Sequence, residues 1–587
     1  MQQQEYMMLI NLQQPHSIIN QNEGGQFDEI VSSQIKQILE KQFFYSETQD
    51  QKEFKKQIVE NLRNLVKKWI KDIAVQTPYL NQDKLDKVGG DLRVFGSFTL
   101  DVNSQESDID TVCIAPKFVS REEHFFKGFY EILRNTDNIT DIFCISEALV
   151  PLIRLKYHNI QFDILFCQIN EDYIENQIDL DSNRLLSQMD EKSYRSFNGL
   201  RVAQFLKKNI KNPNFLSALK VIKLWAKNKG IYSNIIGYLS GIGWTILLAK
   251  ICQLYPNAHL NILIERFFFI YHQWKWQEMP IQIENIQSEP EYYISFDQWD
   301  PTKKSNMMVI TPCFPCMNAA HNVSKTTLKI IQKQFAKAYK KVQQIRVETI
   351  NYLQQIPNNQ LLSSDIVKKF YNQLDSLQDK YKALLQKSEF FVHYKQFIQI
   401  IVLAQNQVDF NIWQGHVESK IRKLTHLFES DMYYSTGSNN SKIDVHPYPF
   451  PLEGNEPNFK HSCSYFFGIK LNQSEQNLDD IQIVDIKQPV NDFLVMLQNS
   501  YKQIVPETMT LNIRQVTRQQ IKDIVTQNID KYRKFINSRT QYSNKQILDS
   551  LIQNYQQVEE ERQQQKQQNS YKNHGNNNNS NQQINQQ

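Results

Sequence analysis

The sequence predicts a multidomain α+β protein that ends in a disordered Gln/Asn-rich tail. Short β-like runs alternate with helical patterns in the first third of the chain, the middle is helical, and strands and helices alternate again before the tail. With 587 residues, the chain is long enough for three or four domains of about 150 residues each. Apolar residues make up 41% of the sequence, which is sufficient for cores of that size.

Charge and cysteine content restrict the class of protein. The formal net charge of +4 neither requires nor excludes nucleic acid, because a local basic face is enough for binding. Seven scattered cysteines are typical of a reduced, intracellular protein. The most apolar stretch, residues 235–249, is too short to span a bilayer and predicts a buried helix, so we expect no membrane association.

The N-terminal third begins with a Gln-rich segment, residues 1–20, which we expect to be flexible. Apolar residues then recur at helical spacing from Phe27 to Phe44 and from Gln51 to Ile73, which predicts two amphipathic helices. Four β-like runs follow, with a helical pattern at 120–135 between the second and third; they are "RVFGSF", "SDIDTVCIAP", "LVPLIRLKY" and "IQFDILFCQI". These runs indicate a small mixed α/β sheet domain.

The rest of the chain is first helical and then mixed. Strong helical patterns run from about residue 170 to 344, and a long charged helical stretch extends through residue 386. Beyond it, strand and helix patterns follow one another in the order strand, helix, strand, helix, strand, which indicates a compact α+β sandwich. Past about residue 530 the sequence has too few apolar residues to fold.

The stretch "VFGSFTLDVNSQESDIDTVCI", residues 94–114, contains the first candidate site. Side chains alternate across a strand, so Asp108 and Asp110 point to the same face of the sheet. Two adjacent carboxylates at the start of a buried strand are costly unless a cation neutralises them. Asp163 lies in another apolar run, "IQFDILF", and would join them if the two strands were neighbours.

Three converging carboxylates are suited to Mg²⁺, which prefers oxygen ligands and keeps positions open for substrate phosphates. Two such ions about 4 Å apart can activate a 3′-hydroxyl and stabilise a pyrophosphate leaving group. Gly96 and Ser97 would then supply backbone and hydroxyl donors to a phosphate. A lone D-x-D is usually a surface turn, but the whole pattern of Gly-Ser, D-x-D and a distant strand aspartate favours a metal site.

The stretch "FGSFTLDVNSQESDIDTVCIAP" resembles the nucleotidyltransferase motif of the DNA polymerase β superfamily, and the remaining motifs are similar to those of eukaryotic nuclear poly(A) polymerases. The similarity covers about residues 25–530 and includes, in order, "RSFNGLRV", "IKLWAKNKGIYSNIIGYLSGIGWTILLAKICQLYPNA", "WDP", "ITPCFPCMNAAHNVS" and "HVESKIRKL". One departure is Ser240, where the family tends to have glycine.

The resemblance implies a fold with a polymerase-β-like nucleotidyltransferase palm, a helical central domain and an RNA-binding domain that is similar in topology to an RNA-recognition motif. The implied boundaries are 1–20 for a flexible N-terminus, 56–170 for the palm, 21–55 plus 171–345 for the central domain, 346–386 for a helical insertion, 387–530 for the RNA-binding domain and 531–587 for the disordered tail.

The resemblance also implies site residues. Asp108, Asp110 and Asp163 would be catalytic and bind Mg²⁺, with Mn²⁺ as an alternative ion. ATP would be contacted by two of these carboxylates and by eight further residues, namely Asp110 and Asp163 with Phe95, Gly96, Ser97, Asn198, Lys223, Tyr232, Gly241 and Ile242. From the residues alone, Lys223 is better explained by a solvated helix face, and Tyr232 by a partly buried core position.

The activity implied is template-independent addition of AMP from ATP to the 3′-OH of RNA, in the nucleus, by a monomer that works with cleavage and polyadenylation factors. Two alternatives remain at this point, a terminal uridylyltransferase-like enzyme and a catalytically silent RNA-binding scaffold. The Cys313–Cys316 pair has the spacing of half a zinc site, but no second pair accompanies it, and we expect it to be structural.

Overall fold

The computed structural model describes most of the chain up to residue 528. The described residues are 14–41, 47, 49–80, 82–85, 87–102, 107–146, 148, 150–174, 178–180, 182–186, 189–285, 299–354, 377–434, 443–454, 456–471, 486–501 and 506–528. The tail predicted at 531–587, most of the N-terminal segment predicted to be flexible, and the middle of the predicted insertion at 346–386 lie outside these residues.

The two N-terminal helices are confirmed as α1, Gln26–Lys41, and α2, Gln49–Val75. The first sheet region follows with short helices between its strands; its elements are α3 (Gln82–Leu85), β1 (Asp91–Val94), α4 (Gly96–Thr99), β2 (Ile109–Pro116), a π-helix (Arg121–Phe129) that continues into α5 (Tyr130–Arg134), β3 (Ile139–Ile145), β4 (Leu152–Tyr157) and β5 (Ile160–Ile169). The strand order is β1-β2-β5-β4-β3. Only β2 and β5 are paired in parallel among these neighbours.

The two faces of this sheet are covered by different elements. On one face, apolar side chains of β2 and β5 pack against α2 and the π-helix, where Trp69, Phe125 and Phe129 form an aromatic cluster. On the other face, Val112, Leu165 and their neighbours pack against the helix at residues 191–209. Because side chains alternate along a strand, Asp110 and Asp163 are on this second face.

In the first sheet, the sequence prediction missed one strand and misplaced part of another run. β3 is an edge strand whose residues are mostly partly or fully exposed and whose pairing with β4 is interrupted, so it lacks a clear alternation of buried and exposed residues. The run "RVFGSF" is only partly a strand, because the chain turns at Gly96 into α4.

The middle of the chain is helical, as predicted. Its helices are α6 (Asn183–Leu186), α7 (Glu191–Asn209), α8 (Phe215–Asn228), α9 (Gly241–Leu254), α10 (Leu260–His272) and α11 (Lys325–Gln354). Trp225, Trp244 and Phe335 form part of its aromatic core. The buried helix predicted at 235–249 in fact begins at residue 241, because the preceding residues form a turn in which Gly237 has φ +97°.

The C-terminal region is an α+β sandwich, which confirms the predicted class. Its elements are α12 (Phe390–His393), β6 (Gln396–Ala404), α13 (Gln407–Tyr434), β7 (Ile443–Pro447), β8 (Leu452–Glu453), β9 (His461–Leu471), α14 (Lys487–Ser500) and β10 (Met509–Thr517). The main strands lie in the order β10-β6-β9-β7. Apart from the two-residue strand β8, which pairs with β9, the chain passes through a strand, a helix, two strands, a helix and a strand, as in an RNA-recognition motif. The sequence predicted only one strand between the two helices, so β7 and β8 were missed.

Both faces of this second sheet are covered. Ile398, Ile400 and Val402 belong to the same core cluster as residues of α13. On the opposite face, Phe397 packs against Phe391 and Phe466, and it is fully buried. No helix in the described part of the chain combines the length and apolar character that crossing a membrane requires.

Candidate metal and nucleotide site

Strand pairing brings the three predicted carboxylates together. In the parallel register of β2 and β5, Asp110 is directly opposite Asp163, and Asp108 lies one residue before β2 begins. Each of the three offers a carboxylate oxygen, and these oxygens lie within 4.8 Å of one another. Among the described residues, this is the one group of three or more Asp, Glu, His and Cys side chains with that spacing.

An arginine fixes the most buried of these carboxylates. Arg154 on β4 is the cross-strand neighbour of Asp163. Its Nε lies 2.8 Å from Asp163 Oδ1 and its Nη2 lies 2.7 Å from Oδ2, which is a bidentate pair. Asp163 is only 6% exposed. The charge of Arg154 therefore compensates one of the three carboxylates.

The other two carboxylates are less well compensated. Burial, followed by the charges of Asp108 and Asp163, raises the pKa of Asp110 from 3.8 to about 7. Burial and then Asp163 also raise the pKa of Asp108. Lys223 and Arg154 oppose the rise at Asp110 without cancelling it. Without a metal, the site thus holds more negative charge than its own cations neutralise.

A glycine allows the chain to approach this site closely. Gly96 has φ +67°, and a Cβ placed on it would stand 2.4 Å from Asp110 Oδ2. Both the backbone conformation and the lack of space therefore require glycine there. The N–H of Phe95 donates to the carbonyl of Asp110 at 3.0 Å, which ties this turn to β2. Ser97 follows in the first turn of α4.

Helix α8 presents two lysines to the carboxylates. Lys223 is 5% exposed, and burial followed by the charge of Lys227 lowers its pKa to about 8, against the opposing effect of Asp108 and Asp110. Lys227, one turn later, lowers the pKa of Asp108. The spacing of four residues places both ammonium groups on one face of the helix. Cations on this face can bind anionic groups of a ligand held at the carboxylates.

Helix α7 contributes a buried amide. Asn198 is 5% exposed; its Nδ2 donates to the carbonyl of Pro315 at 3.3 Å, while its Oδ1 has no hydrogen-bond partner in the described part of the chain. At the next residue, Gly199, a Cβ would lie 3.1 Å from the ring of Phe95. Helix α7 therefore approaches the turn that leads to Gly96 at Gly199, the residue after Asn198.

Tyr232 and the start of α9 form a second contact group. A Cβ on Gly241 would lie 2.7 Å from the hydroxyl oxygen of Tyr232, so the tyrosine lies against the glycine backbone. The Nζ of Lys227 lies 5.3 Å from the centroid of the Tyr232 ring. Ile242 packs at the edge of the central core, and Ser240 precedes the helix without a side-chain capping bond.

Sequence reasoning missed two charged residues of this site. Lys227 had a recognisable signal, because it lies four residues after Lys223 on the same predicted helix. Arg154 had none, since its partner Asp163 is set by the pairing of β4 and β5. The pKa of Arg154 is raised chiefly by its hydrogen bonds to Asp163, and Glu418 of α13 adds a smaller electrostatic contribution.

The residues present fit a divalent cation. All three converging groups are carboxylates, the ligand type that Mg²⁺ and Mn²⁺ share, and their excess negative charge is what a cation would neutralise. The glycine turn at residue 96 leaves room beside Asp110 that a side chain would fill. At the buried Cys313 and Cys316, the described residues show no comparable group.

Sequence-family models match nearly the whole described chain. They are the poly(A) polymerase nucleotidyltransferase domain over residues 18–210, the poly(A) polymerase central domain over 214–357, and the poly(A) polymerase predicted RNA binding domain over 389–449 and 451–535. The three carboxylates lie in the first of these ranges and the two lysines of α8 in the second.

Two curated relatives illustrate the similarity. Nuclear poly(A) polymerase 2 of Arabidopsis thaliana is 32% identical over 480 residues, which are 81% of this chain and 54% of that protein. Poly(A) polymerase of Dictyostelium discoideum is 32% identical over 484 residues, which are again 81% of this chain and 54% of that protein. The chain thus spans about half the length of the curated relatives it matches.

Among solved structures, the RNA terminal uridylyl transferase Cid1 matches with a TM-score of 0.37 and 14% sequence identity, covering 62% of this chain and 98% of that one. A cytoplasmic RNA terminal U-transferase matches with a TM-score of 0.38 and 15% identity, covering 61% of this chain and 99% of that one.

Proposed function

The chain belongs to the poly(A) polymerase family, and on that premise we propose that it adds AMP from ATP to the 3′-OH of RNA, without a template and with release of pyrophosphate. The observation that supports this most strongly is the group of three carboxylates on adjacent strands, facing the two lysines of α8. Such a site can hold cations and a triphosphate together.

Asp108, Asp110 and Asp163 are the proposed metal ligands, and Mg²⁺ is the proposed ion, with Mn²⁺ as an alternative. When bound, Mg²⁺ would favour loss of the proton from the 3′-hydroxyl and neutralise charge on the pyrophosphate. In the reaction the 3′-oxygen bonds to the α-phosphorus of ATP, and the bond from that phosphorus to pyrophosphate breaks. Arg154 holds Asp163 in place throughout.

The triphosphate is proposed to lie between the glycine turn and α8. Gly96 and Ser97 would donate backbone and hydroxyl hydrogen bonds, and Lys223 would supply a positive charge. Lys227 belongs to the same helix face and would act on the same phosphates or on the ring of Tyr232. The same hydrogen-bond donors and lysines would also orient the pyrophosphate leaving group, because its negative charge remains after its bond to the α-phosphorus breaks.

The nucleoside is proposed to contact the residues that bracket this phosphate site. Asn198 has a buried acceptor without a partner in the described part of the chain, which suits a hydrogen bond from a base or sugar. The nucleoside could also contact the ring of Tyr232, the backbone at Gly241 and the apolar side chain of Ile242. Phe95 packs against Gly199, the residue after Asn198, and would complete this side.

The domain boundaries, location and partners remain part of the proposal. We assign the palm to 56–170, the central domain to 21–55 plus 171–345 and the RNA-binding domain to 387–530. The names of the Arabidopsis relatives support a nuclear location. We also propose that the protein is a monomer whose RNA targets are selected with cleavage and polyadenylation factors.

A tailing assay tests the proposal. The full chain is incubated with an RNA primer, Mg²⁺ and each nucleoside triphosphate in turn, and long tails are expected with ATP only. Asp110→Ala should abolish tailing while circular dichroism shows that the protein is folded. Asp137→Ala, an exposed aspartate of the same region, is the matched control and should tail normally.

Other outcomes would select the alternatives. Tails made preferentially from UTP would identify a terminal uridylyltransferase. RNA binding without transfer of any nucleotide would identify a scaffold. Tailing by the Asp110→Ala protein would overturn the assignment of the metal site, whichever nucleotide is used.

A further inference from the structure

A regular row of lysines lies on the outer face of the central domain. Helix α11 carries Lys329, Lys333, Lys337 and Lys341, which are spaced four residues apart and are all exposed. We call these four residues the lysine stripe. At a rise of about 1.5 Å per residue, neighbouring lysines are about 6 Å apart along the helix axis, and the stripe extends over about 18 Å. The opposite side of α11 is buried through residues such as Phe335 and Ala338.

Lysines from other elements extend the stripe. Burial, followed by Lys341 and Lys337, lowers the pKa of Lys229, which follows α8, to about 8. Burial, followed by Lys337 and Lys470 of β9, lowers the pKa of Lys333. These like charges therefore act on one another across two domains, because α8 and α11 belong to the helical region and β9 to the C-terminal sheet.

The described residues compensate this charge only in part. Lys329 pairs with Asp444 of β7 at 2.9 Å. Glu389 raises the pKa of Lys229, and the Nζ of Lys341 donates to the carbonyl of Ala383 at 2.9 Å. Two carboxylates thus face a surface that is formed by six lysines. Concentrating like charge in this way is unfavourable for the free protein and is relieved when a polyanion binds.

We propose that the lysine stripe, together with Lys470, binds the phosphate backbone of RNA upstream of the 3′ end. This inference rests on the proposed function, which supplies RNA as the substrate. The stripe is an extended row of exposed point charges, which suits a regular backbone rather than a single phosphate group. It is continuous with the site, since α8 carries Lys223 toward the carboxylates and is followed by Lys229 at the stripe.

The second sheet has the topology of an RNA-recognition motif, but aromatic residues that could stack on bases are buried in it. In RNA-recognition motifs, exposed aromatic residues of the sheet stack on bases. Here Phe397 and Phe466 are fully buried, and they pack against each other and against Phe391. Stacking at these positions would require the aromatic cluster to open. The lysine stripe requires no rearrangement, because its ammonium groups already reach solvent.

The test compares RNA of two lengths. Affinities of the full chain are measured by fluorescence anisotropy with oligoadenylates of about five and about twenty-five nucleotides, over a range of salt concentrations. The variant Lys333→Gln/Lys337→Gln/Lys470→Gln should bind the long RNA about tenfold more weakly at low salt. The slope of the logarithm of the association constant against the logarithm of salt concentration is negative, and its magnitude should decrease by about 2, at about 0.7 for each lost phosphate contact. Binding of the short RNA should not change.

A matched control removes the same charge elsewhere. Lys67, Lys68 and Lys71 are exposed on α2, and replacing all three by Gln should leave both affinities unchanged. Wild-type affinity and slope for the long RNA in the stripe variant would overturn the proposal, and so would an equal loss in the control. Retained RNA binding together with lost binding of a polyglutamate peptide would also overturn it, in favour of an acidic protein partner.

The same experiment separates the two proposals. Tailing of the short primer with ATP should be unaffected by the stripe variant, because the metal and nucleotide residues are intact. If neither wild type nor variant transfers a nucleotide, the proposed function fails, while the length-dependent difference in binding still supports the stripe. If tailing occurs but the long RNA binds equally to both proteins, only the stripe proposal fails.

Discussion

Replacing Asp110 with Asn is expected to stabilise the metal-free protein. Burial and the neighbouring carboxylates raise the pKa of Asp110 from 3.8 to about 7. Because one pKa unit corresponds to about 1.4 kcal/mol, ionising this carboxyl group in the folded state costs up to about 4 kcal/mol. Asp110 is partly exposed to solvent, which screens the repulsion, so we expect about 2 kcal/mol at pH 8.

The sign of the pH dependence follows from proton linkage. The folded protein binds the Asp110 proton more tightly than the unfolded chain, so its contribution to stability is fully present below pH 4. It is lost as the pH rises from about 4 to about 7. Wild-type protein in EDTA should therefore be less stable at pH 8 than at pH 5, and Asp110→Asn should remove much of that difference.

Melting temperatures in EDTA measure this effect. At pH 8 the Asp110→Asn protein should melt about 4–8 °C above wild type, and it should no longer be stabilised by added Mg²⁺. Asp163→Asn should instead lower the melting temperature, because it removes the carboxylate that pairs with Arg154. Asp137→Asn, an exposed control, should change little. A lower melting temperature for Asp110→Asn at pH 8 would refute the reasoning.

Three further substitutions test the site. Gly96→Ala places a Cβ 2.4 Å from a carboxylate oxygen and should lower the rate of tailing about 100-fold or more. The control is Gly415→Ala, whose Cβ meets nothing within 4 Å. It should stabilise α13 by about 0.5–1 kcal/mol in urea unfolding and leave tailing unchanged. Lys223→Met should raise the KM for ATP about tenfold or more in steady-state kinetics, since it removes a positive charge from the proposed phosphate site; an unchanged KM would exclude that role. Arg154→Met leaves the buried Asp163 carboxylate without its bidentate partner. Because the arginine side chain is 41% exposed, we expect a loss of only about 1–3 kcal/mol in the free energy of unfolding in EDTA, with partial recovery in Mg²⁺. Equal stability of the variant in EDTA and in Mg²⁺ would contradict this.

Local sequence patterns predicted much of the fold. Helical spacing of apolar residues predicted α1 and α2, and the strand patterns before and after the last predicted helix predicted β9 and β10. The pattern failed where local signals are weak, as in the exposed edge strand β3, or where a turn begins inside an apolar run, as before Gly241. Helices and strands are recognised from neighbouring residues, whereas turns and exposed edges depend on what packs against them.

For the site, the sequence by itself determined that Asp108 and Asp110 share a face and that a third aspartate lies in a buried strand, because strand alternation is a local property. Only the tertiary structure decided that Asp163 lies opposite Asp110, that Arg154 neutralises Asp163, and that α8 brings its lysines to these carboxylates. Each of these contacts joins residues that are distant in the chain, and strand register and helix packing are set by long-range complementarity that local periodicity does not contain.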